Sequence, residues 1–460
     1  MTDFRPAAAA SAPGMSGQTM ERGIDLKGAI SANVLNMVGI GPFLTIPLAL
    51  AAMGGPQAML GWILGGVIAL CDGLVWAELG SAMPKSGGPY QYLREAFGPL
   101  RFGALASFLF LWQTMLIGPL SIASGAVGFA QYARYLVPGL HGWQMPTLAA
   151  FVCIANMLLL LRRITSINLL SVVIATIVIA TTAWIVVSGV LHFHPAMAFD
   201  FPAGAFHLSR QFSIGLGAAT LIAVYDYGGY NNICLIGEEV RKPRKTIPQS
   251  ILISIALVAA LYLTMNISIL GVIPWREAIH SDAIVALFME RIYGPVGAKI
   301  SSVLILVATF GSVFAILLGF SRVPYAAAAD GRFFSVFARL HPKEHYPVAA
   351  VVSLGLLSAA ACIFSLSDII NLLIVVQIML QFMAQCVAVI VLRKRAADGP
   401  DSFRMPFFPL PALIALAGWT YIVVTSGVRY IEIGLVLMLL GVVAFLVRSY
   451  GVHQWPFETA

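Results

Sequence analysis

The chain has 460 residues, of which 59% are apolar and 10% charged, whereas soluble domains run nearer ~45–50% apolar and ~25% charged. A water-soluble protein of this length could not hide so much apolar surface. Glycine (42) and proline (25) follow no period, which excludes a collagen-like chain. The formal charge of +7 is scattered through short loops rather than gathered on one face, so no nucleic-acid partner is expected.

Residues 1–23 are rich in Ala, Ser and Gly and lack an apolar core, as expected of a disordered cytoplasmic tail rather than a signal peptide. A membrane span needs about 20 mostly apolar residues. Twelve stretches qualify, at 28–52, 57–81, 101–136, 145–162, 165–191, 211–237, 247–273, 295–328, 347–366, 368–392, 405–427 and 430–448. The loops between them are too short to fold alone. The expectation is therefore an all-α polytopic membrane protein with a single membrane domain over 24–450, surrounded by lipid, and a second cytoplasmic tail at 451–460.

Two pieces are too polar to cross. Residues 85–97 (KSGGPYQYLREAF) predict a short cytoplasmic helix. Residues 274–294 carry Ile284, Leu287, Phe288 and Ile292 at helical spacing, which predicts an amphipathic external helix lying on the bundle. With an inside N-terminus, only Arg134, Arg210, Arg276, Arg291, Lys299 and Arg429 of the 27 basic residues fall outside. That imbalance predicts both termini in the cytoplasm.

The first stretch, GAISANVLNMVGIGPFLTIPLAL, holds Gly39, Gly41 and Pro42 at its midpoint. Proline removes a backbone hydrogen bond and glycine costs about 1 kcal/mol of helix stability, so the three together predict an unwound turn. The sixth stretch, LIAVYDYGGYNNICLIG, repeats the event at Asp226, Gly228 and Gly229. Interrupted segments in matching halves point to a transporter's substrate site. Their spacing of five predicts repeats over 28–191 and 211–392, with two extra helices at 405–448. Amides freed at such a break attract a carboxylate and the freed carbonyls accept from an ammonium, which suits a small zwitterion.

These residues also carry a family resemblance. Gly39-Ile40-Gly41-Pro42-Phe43 is similar to the glycine motif of the amino acid–polyamine–organocation superfamily. AELGSAMPKSGGPYQYLREAFG (77–98) and YGGYNNICLIGEEVRKPRKTIPQSI (227–251) resemble its second and sixth spans with their following loops, closest to the L-type amino acid transporter branch. SRVPYAAAADGRFF (321–334) and FRMPFFPLPAL (403–413) match later signatures. The resemblance implies the leucine-transporter fold, with a 5+5 inverted repeat and broken helices 1 and 6. It also implies secondary active transport by alternating access, coupled to protons or working by exchange. The substrate would be an amino acid or related amine.

Carried over residue by residue, it implies that the substrate carboxylate lies against the backbone of Gly39, Ile40 and Gly41. The amine would meet carbonyls near Met37, Val38 and Tyr225. The Tyr225 ring would close the site as a gate, and Gly228 and Gly229 would keep the pocket roomy. The sequence departs from its relatives at Ile40 and Pro42, and its fifth span lacks the lysine with which some sodium-independent relatives mimic a cation.

Two intramembrane acids are unexpected and are candidates for coupling. Asp226 could bind a second amine, carry a proton, or cap a half-helix. Asp72 could exchange protons or simply hold helices together. Gln377, Gln381 and Gln385 recur every four residues and either line the permeation path or bond between helices. Thr309 and Ser312 could serve a sodium site, although membrane hydroxyls more often bond to backbone. The five cysteines (Cys71, Cys153, Cys234, Cys362, Cys386) show no ligand spacing, so no metal and no cofactor is expected. Enzyme signatures and a nucleotide-binding loop are likewise missing. A polyamine or cationic amino acid transporter and a non-transporting amino acid sensor remain the alternatives. The sequence names no protein partner.

Overall fold

The computed structural model describes residues 23–39, 41–84, 88–98, 101–161, 167–329, 331, 333–341, 346–395, 402–451 and 453–457. The expected tail before Gly23, Ile40 of the glycine motif, residues 85–87 of the short helix and residues 458–460 lie outside them. No β-strand forms among the described residues; one isolated parallel bridge joins Ile24 to Val240.

The helices are α1 (Leu26–Met37), α2 (Ile46–Met53), α3 (Met59–Ala82), α4 (Pro89–Phe97), α5 (Phe102–Leu136), α6 (Gln144–Leu160) and α7 (Ile167–Leu191). They continue with α8 (Arg210–Tyr227), α9 (Pro243–Leu270), α10 (Ile284–Ala329) and α11 (Val348–Ala361). The last are α12 (Leu366–Arg395), α13 (Leu410–Thr425) and α14 (Val428–Gly451). Six of them, α3, α5, α9, α10, α12 and α14, are long and apolar enough to cross a membrane. The pair α1 and α2 makes a seventh, bent by 61° at its break. α6, α11, α13 and residues Thr176–Leu191 of α7 are shorter apolar helices.

The outside of the bundle is greasy. On α14, Val436, Leu439, Val443 and Val447 form an exposed stripe at helical spacing, with Leu439 61% and Val447 69% exposed. On α3, Ile63, Val67 and Leu70 do the same. Such a surface is stable only against lipid. Inside, close approach of helices depends on small residues. A methyl group on Gly61 of α3 would stand 2.7 Å from the Ala219 backbone of α8, and one on Gly65 would stand 3.0 Å from Ala223. α3 packs against α8, α9 and α13, while α5 packs against α6, α10, α11 and α12.

Both non-spanning pieces form. α4 buries Tyr92, Leu93 and Ala96. The second piece forms a helix over residues 284–293 and buries Ile284 and Phe288, with Leu287 and Ile292 half-buried. It runs into the rest of α10 through Gly294, whose φ of 71° is left-handed and breaks the axis before Pro295. Two features differ from expectation. The sixth stretch does not resume as a long second half after its break; one turn at Asn232–Leu235 and a 3-10 turn at Gly237–Glu239 lead directly to α9. Within α12, residues Ile378–Phe382 form a π turn. Its wider i→i+5 bonding interrupts the uniform winding on which the expected glutamine face was drawn.

Candidate functional site

The first break begins where α1 ends. Val38 leaves the helix, Gly39 N–H donates to the Met37 carbonyl at 2.9 Å, and Gly41–Phe43 form a single 3-10 turn before α2. Pro42 cannot donate, and the chain recovers when Leu44 and Thr45 both donate to the Gly41 carbonyl. Freed carbonyls need partners in a dry interior. Two tyrosines supply them: Tyr262 of α9 donates to Met37 at 2.7 Å, and Tyr132 of α5 donates to Phe43 at 2.7 Å.

The second break follows Tyr227. Gly228 N–H turns back to the Tyr225 carbonyl at 3.3 Å, and Gly229 adopts a left-handed φ of 112°. A side chain on Gly229 would be strained by that φ and would also press within 3.0 Å of the Asn36 backbone. Asn33 Oδ1 of α1 accepts from Ile233 N–H at 3.1 Å. The second turn therefore packs against the last turns of α1, just before the first break.

Asp226 joins them. Its Oδ2 accepts from Thr45 Oγ1 at 2.8 Å and from Trp62 Nε1 of α3 at 3.2 Å. Among the described residues its Oδ1 has no donor, although the residue is only 2% exposed. Oδ1 points at the first break: a methyl group on Gly41 would stand 2.6 Å from it and 3.0 Å from the Tyr225 ring. The Tyr225 hydroxyl donates to Ser124 Oγ of α5 at 2.9 Å, which stretches that side chain across the break.

Asp72 belongs to a different network. Tyr230 donates to its Oδ2 at 2.6 Å, and Trp419 Nε1 of α13 donates to its Oδ1 at 3.1 Å. The Cys386 thiol of α12 lies 3.9 Å from Oδ1, and the Trp419 ring stacks on Phe382 with centroids 4.7 Å apart. Four elements thus meet on one fully buried carboxylate.

Of the expected site residues, Gly41, Tyr225 and Asp226 are in direct contact, and Met37, Val38 and Gly39 line the same turn. Gly228 and Gly229 form the second turn, and Ile40 lies outside the described residues. Asp72 touches the second break only through Tyr230. Gln381 accepts from Gln113 Nε2 at 2.8 Å, a bond between α12 and α5, while fully buried Gln385 has no partner. Thr309 donates to the Ile305 carbonyl of its own helix. Thr45, Trp62, Ser124, Tyr230 and Tyr262 were not expected at the site. Only Tyr230, inside the YGGYNN run, carried a usable signal.

Farther out, Glu78 accepts from Met405 N–H at 2.8 Å and pairs with Arg393 at 3.3 Å. At the opposite end Arg134 pairs with Asp282 and Arg291 with Glu277.

A family model described as amino acid permease matches residues 25–447. The rat large neutral amino acids transporter small subunit 2 is 31% identical, covering 98% of this chain and 85% of its own. The serine/threonine exchanger SteT of Bacillus subtilis is 26% identical over 87% of this chain and 90% of its own. The human cystine/glutamate transporter is 27% identical over 94% and 86%. With nearly its whole length matched, the chain belongs to the amino acid permease family, whose members are membrane transporters rather than enzymes.

Proposed function

We infer that this permease is a secondary active transporter that carries an amino acid across the cell membrane by alternating access. The observation that carries the inference is the meeting of the first unwound turn, 38–45, with the end of α8 just before the second, where Gly41 stands against Tyr225 and Asp226. Broken backbone of this kind is found where a membrane protein handles a polar solute. The substrate carboxylate lies against the turn at Gly39, Ile40 and Gly41, and its ammonium turns to the carbonyl ends near Met37, Val38 and Tyr225. Gly228 and Gly229 leave room for the side chain. The Tyr225 ring closes over the solute, and Asp226 or Asp72 takes part in coupling.

Twelve spans, arranged as two inverted five-helix repeats plus two helices, and cytoplasmic termini complete the arrangement. Two of the relatives act, by their names, on large neutral amino acids and on serine and threonine. Those names support a neutral amino acid here, and the second supports exchange. A thermal-shift screen of the purified protein against the twenty amino acids and common polyamines identifies the ligand, because binding to the folded state raises apparent stability. Counterflow of that labelled ligand in proteoliposomes then tests transport. Stabilisation without counterflow would make the protein a sensor, and a polyamine as the strongest stabiliser would overturn the amino acid assignment.

A further inference from the structure

The two buried acids differ in what they leave open. Asp72 has a strong donor on each oxygen and is held by α3, the turn after α8, α12 and α13. Asp226 has both of its donors on Oδ2, and Oδ1 lies without a donor against the first break, so close that a methyl group on Gly41 would stand 2.6 Å from it. The groups around Asp226 carry no positive charge. They are Tyr225 and Tyr227 on its own helix, Thr45 in the first break, Trp62 on α3 and Tyr262 on α9. Among the described residues no Lys, Arg or His pairs with it. An ionised carboxylate so enclosed is unstable unless a cation or a proton meets it.

If the substrate carboxylate lies against the turn at Gly39–Gly41, as inferred above, its oxygens come within reach of Oδ1. Two carboxylates sharing a desolvated site cannot both remain ionised. The substrate carboxylate keeps the charge, because an α-carboxyl is intrinsically a stronger acid than an aspartate side chain. We propose that Asp226 is a proton site whose occupation is obligatory for amino acid binding: a proton on Oδ1 removes the like charge and donates a hydrogen bond to the substrate carboxylate, so each bound amino acid carries one proton with it. The proton comes from water on the side from which the substrate enters and leaves with the substrate on the other. The bare Cα of Gly41 lets Oδ1 come this close to the turn.

The sign of the linkage follows. Binding is insensitive to pH while empty Asp226 is already protonated. Above that range an ionised site must take up a proton to accept the amino acid, so the dissociation constant rises about tenfold per pH unit. A decarboxylated amine shows the opposite sign, because its ammonium is drawn to the ionised carboxylate.

The test uses the full-length protein in detergent and two probes: the amino acid giving the largest thermal shift, and the amine formed by its decarboxylation. Calorimetric titration in buffers of different ionisation enthalpy, repeated from acid to alkaline pH, reads affinity and proton uptake together. The expected result is uptake approaching one proton per amino acid, with weakening affinity as pH rises, and the reverse slope for the amine. In Asp226→Asn the uptake disappears and the dissociation constant no longer depends on pH; Asp226→Ser serves if Asn does not fold. Binding of the amino acid without uptake at any pH, or uptake that survives both variants, overturns the proposal and leaves the transporter assignment standing. An amine that binds more tightly than its amino acid even at acid pH, where Asp226 is protonated, makes Asp226 a cation receptor and also overturns it. If no amino acid binds at all, the transporter assignment itself fails.

Discussion

Two glycines of the first break, two residues apart, have opposite surroundings. In Gly41→Ala the new methyl group stands 2.6 Å from Asp226 Oδ1 and 3.0 Å from Tyr225 Cε1. Neither neighbour is free to swing away: Asp226 is held by Thr45 and Trp62, and Tyr225 by Ser124. Overpacking of this kind costs about 1–3 kcal/mol. If the strain is relieved by breaking one Asp226 hydrogen bond, roughly 1 kcal/mol is added. In Gly39→Ala the methyl group meets nothing within 4 Å, so the expected change stays within ~0.5 kcal/mol of zero. Thermal unfolding of the purified variants, followed by intrinsic fluorescence, should therefore show a clear loss of stability for Gly41→Ala and almost none for Gly39→Ala. Ligand-induced stabilisation should also be lost in the first. Equal melting temperatures for the two variants would refute the proposed contact between the break and Asp226.

Trp419→Phe should keep the stack on Phe382 but withdraw the donor from Asp72, costing about 1–2 kcal/mol; unchanged unfolding would show that Asp72 does not depend on that bond. Tyr225→Phe loses only the bond to Ser124 and should retain most transport, whereas Tyr225→Ala should slow uptake severely in proteoliposomes. Normal uptake by the Ala variant would remove the ring from the gate. Glu78→Gln keeps an acceptor for Met405 N–H while giving up the ion pair with Arg393 and should be milder than Glu78→Ala, with the order of melting temperatures as the check.

The break in the first stretch was legible because Gly39, Gly41 and Pro42 act on the backbone locally, and so were Gly228 and Gly229 in the sixth. The helix over residues 284–293 was legible for the same reason, its apolar positions recurring every three or four residues. Asp226 announced itself as a charge out of place, but its function did not. Its donors Thr45 and Trp62 lie 181 and 164 residues away and are brought to it by the packing of α2 and α3 on α8. Tyr262 and Tyr132 read as ordinary interface aromatics until the carbonyls they satisfy are located. The π turn in α12 escaped because its residues, IMLQF, have no feature that separates an i→i+5 turn from a regular one. Of the two readings of the glutamine series, the bond from Gln113 to Gln381 favours bonding between helices.

The small bridge at Ile24 has a mechanical consequence. Ile24 donates to the Glu239 carbonyl at 3.0 Å and accepts from Arg241 at 2.8 Å, so the start of α1 is pinned to the segment after α8. Asn33 pins its middle to Ile233, and Asn36 abuts Gly229 near its end. On the other side of the turns, Thr45 fastens α2 to α8 through Asp226. The two half-helices of the first stretch are thus lever arms, each riveted to a different piece of the second. α1 has 12 residues, a length of about 18 Å, so a swing of about 10° at its inner end displaces Ile24 by roughly 3 Å. No hydrogen bond survives such a stroke unless both partners travel. Either the bridge snaps each time the arm moves, or residues 232–240 ride with it as a single piece.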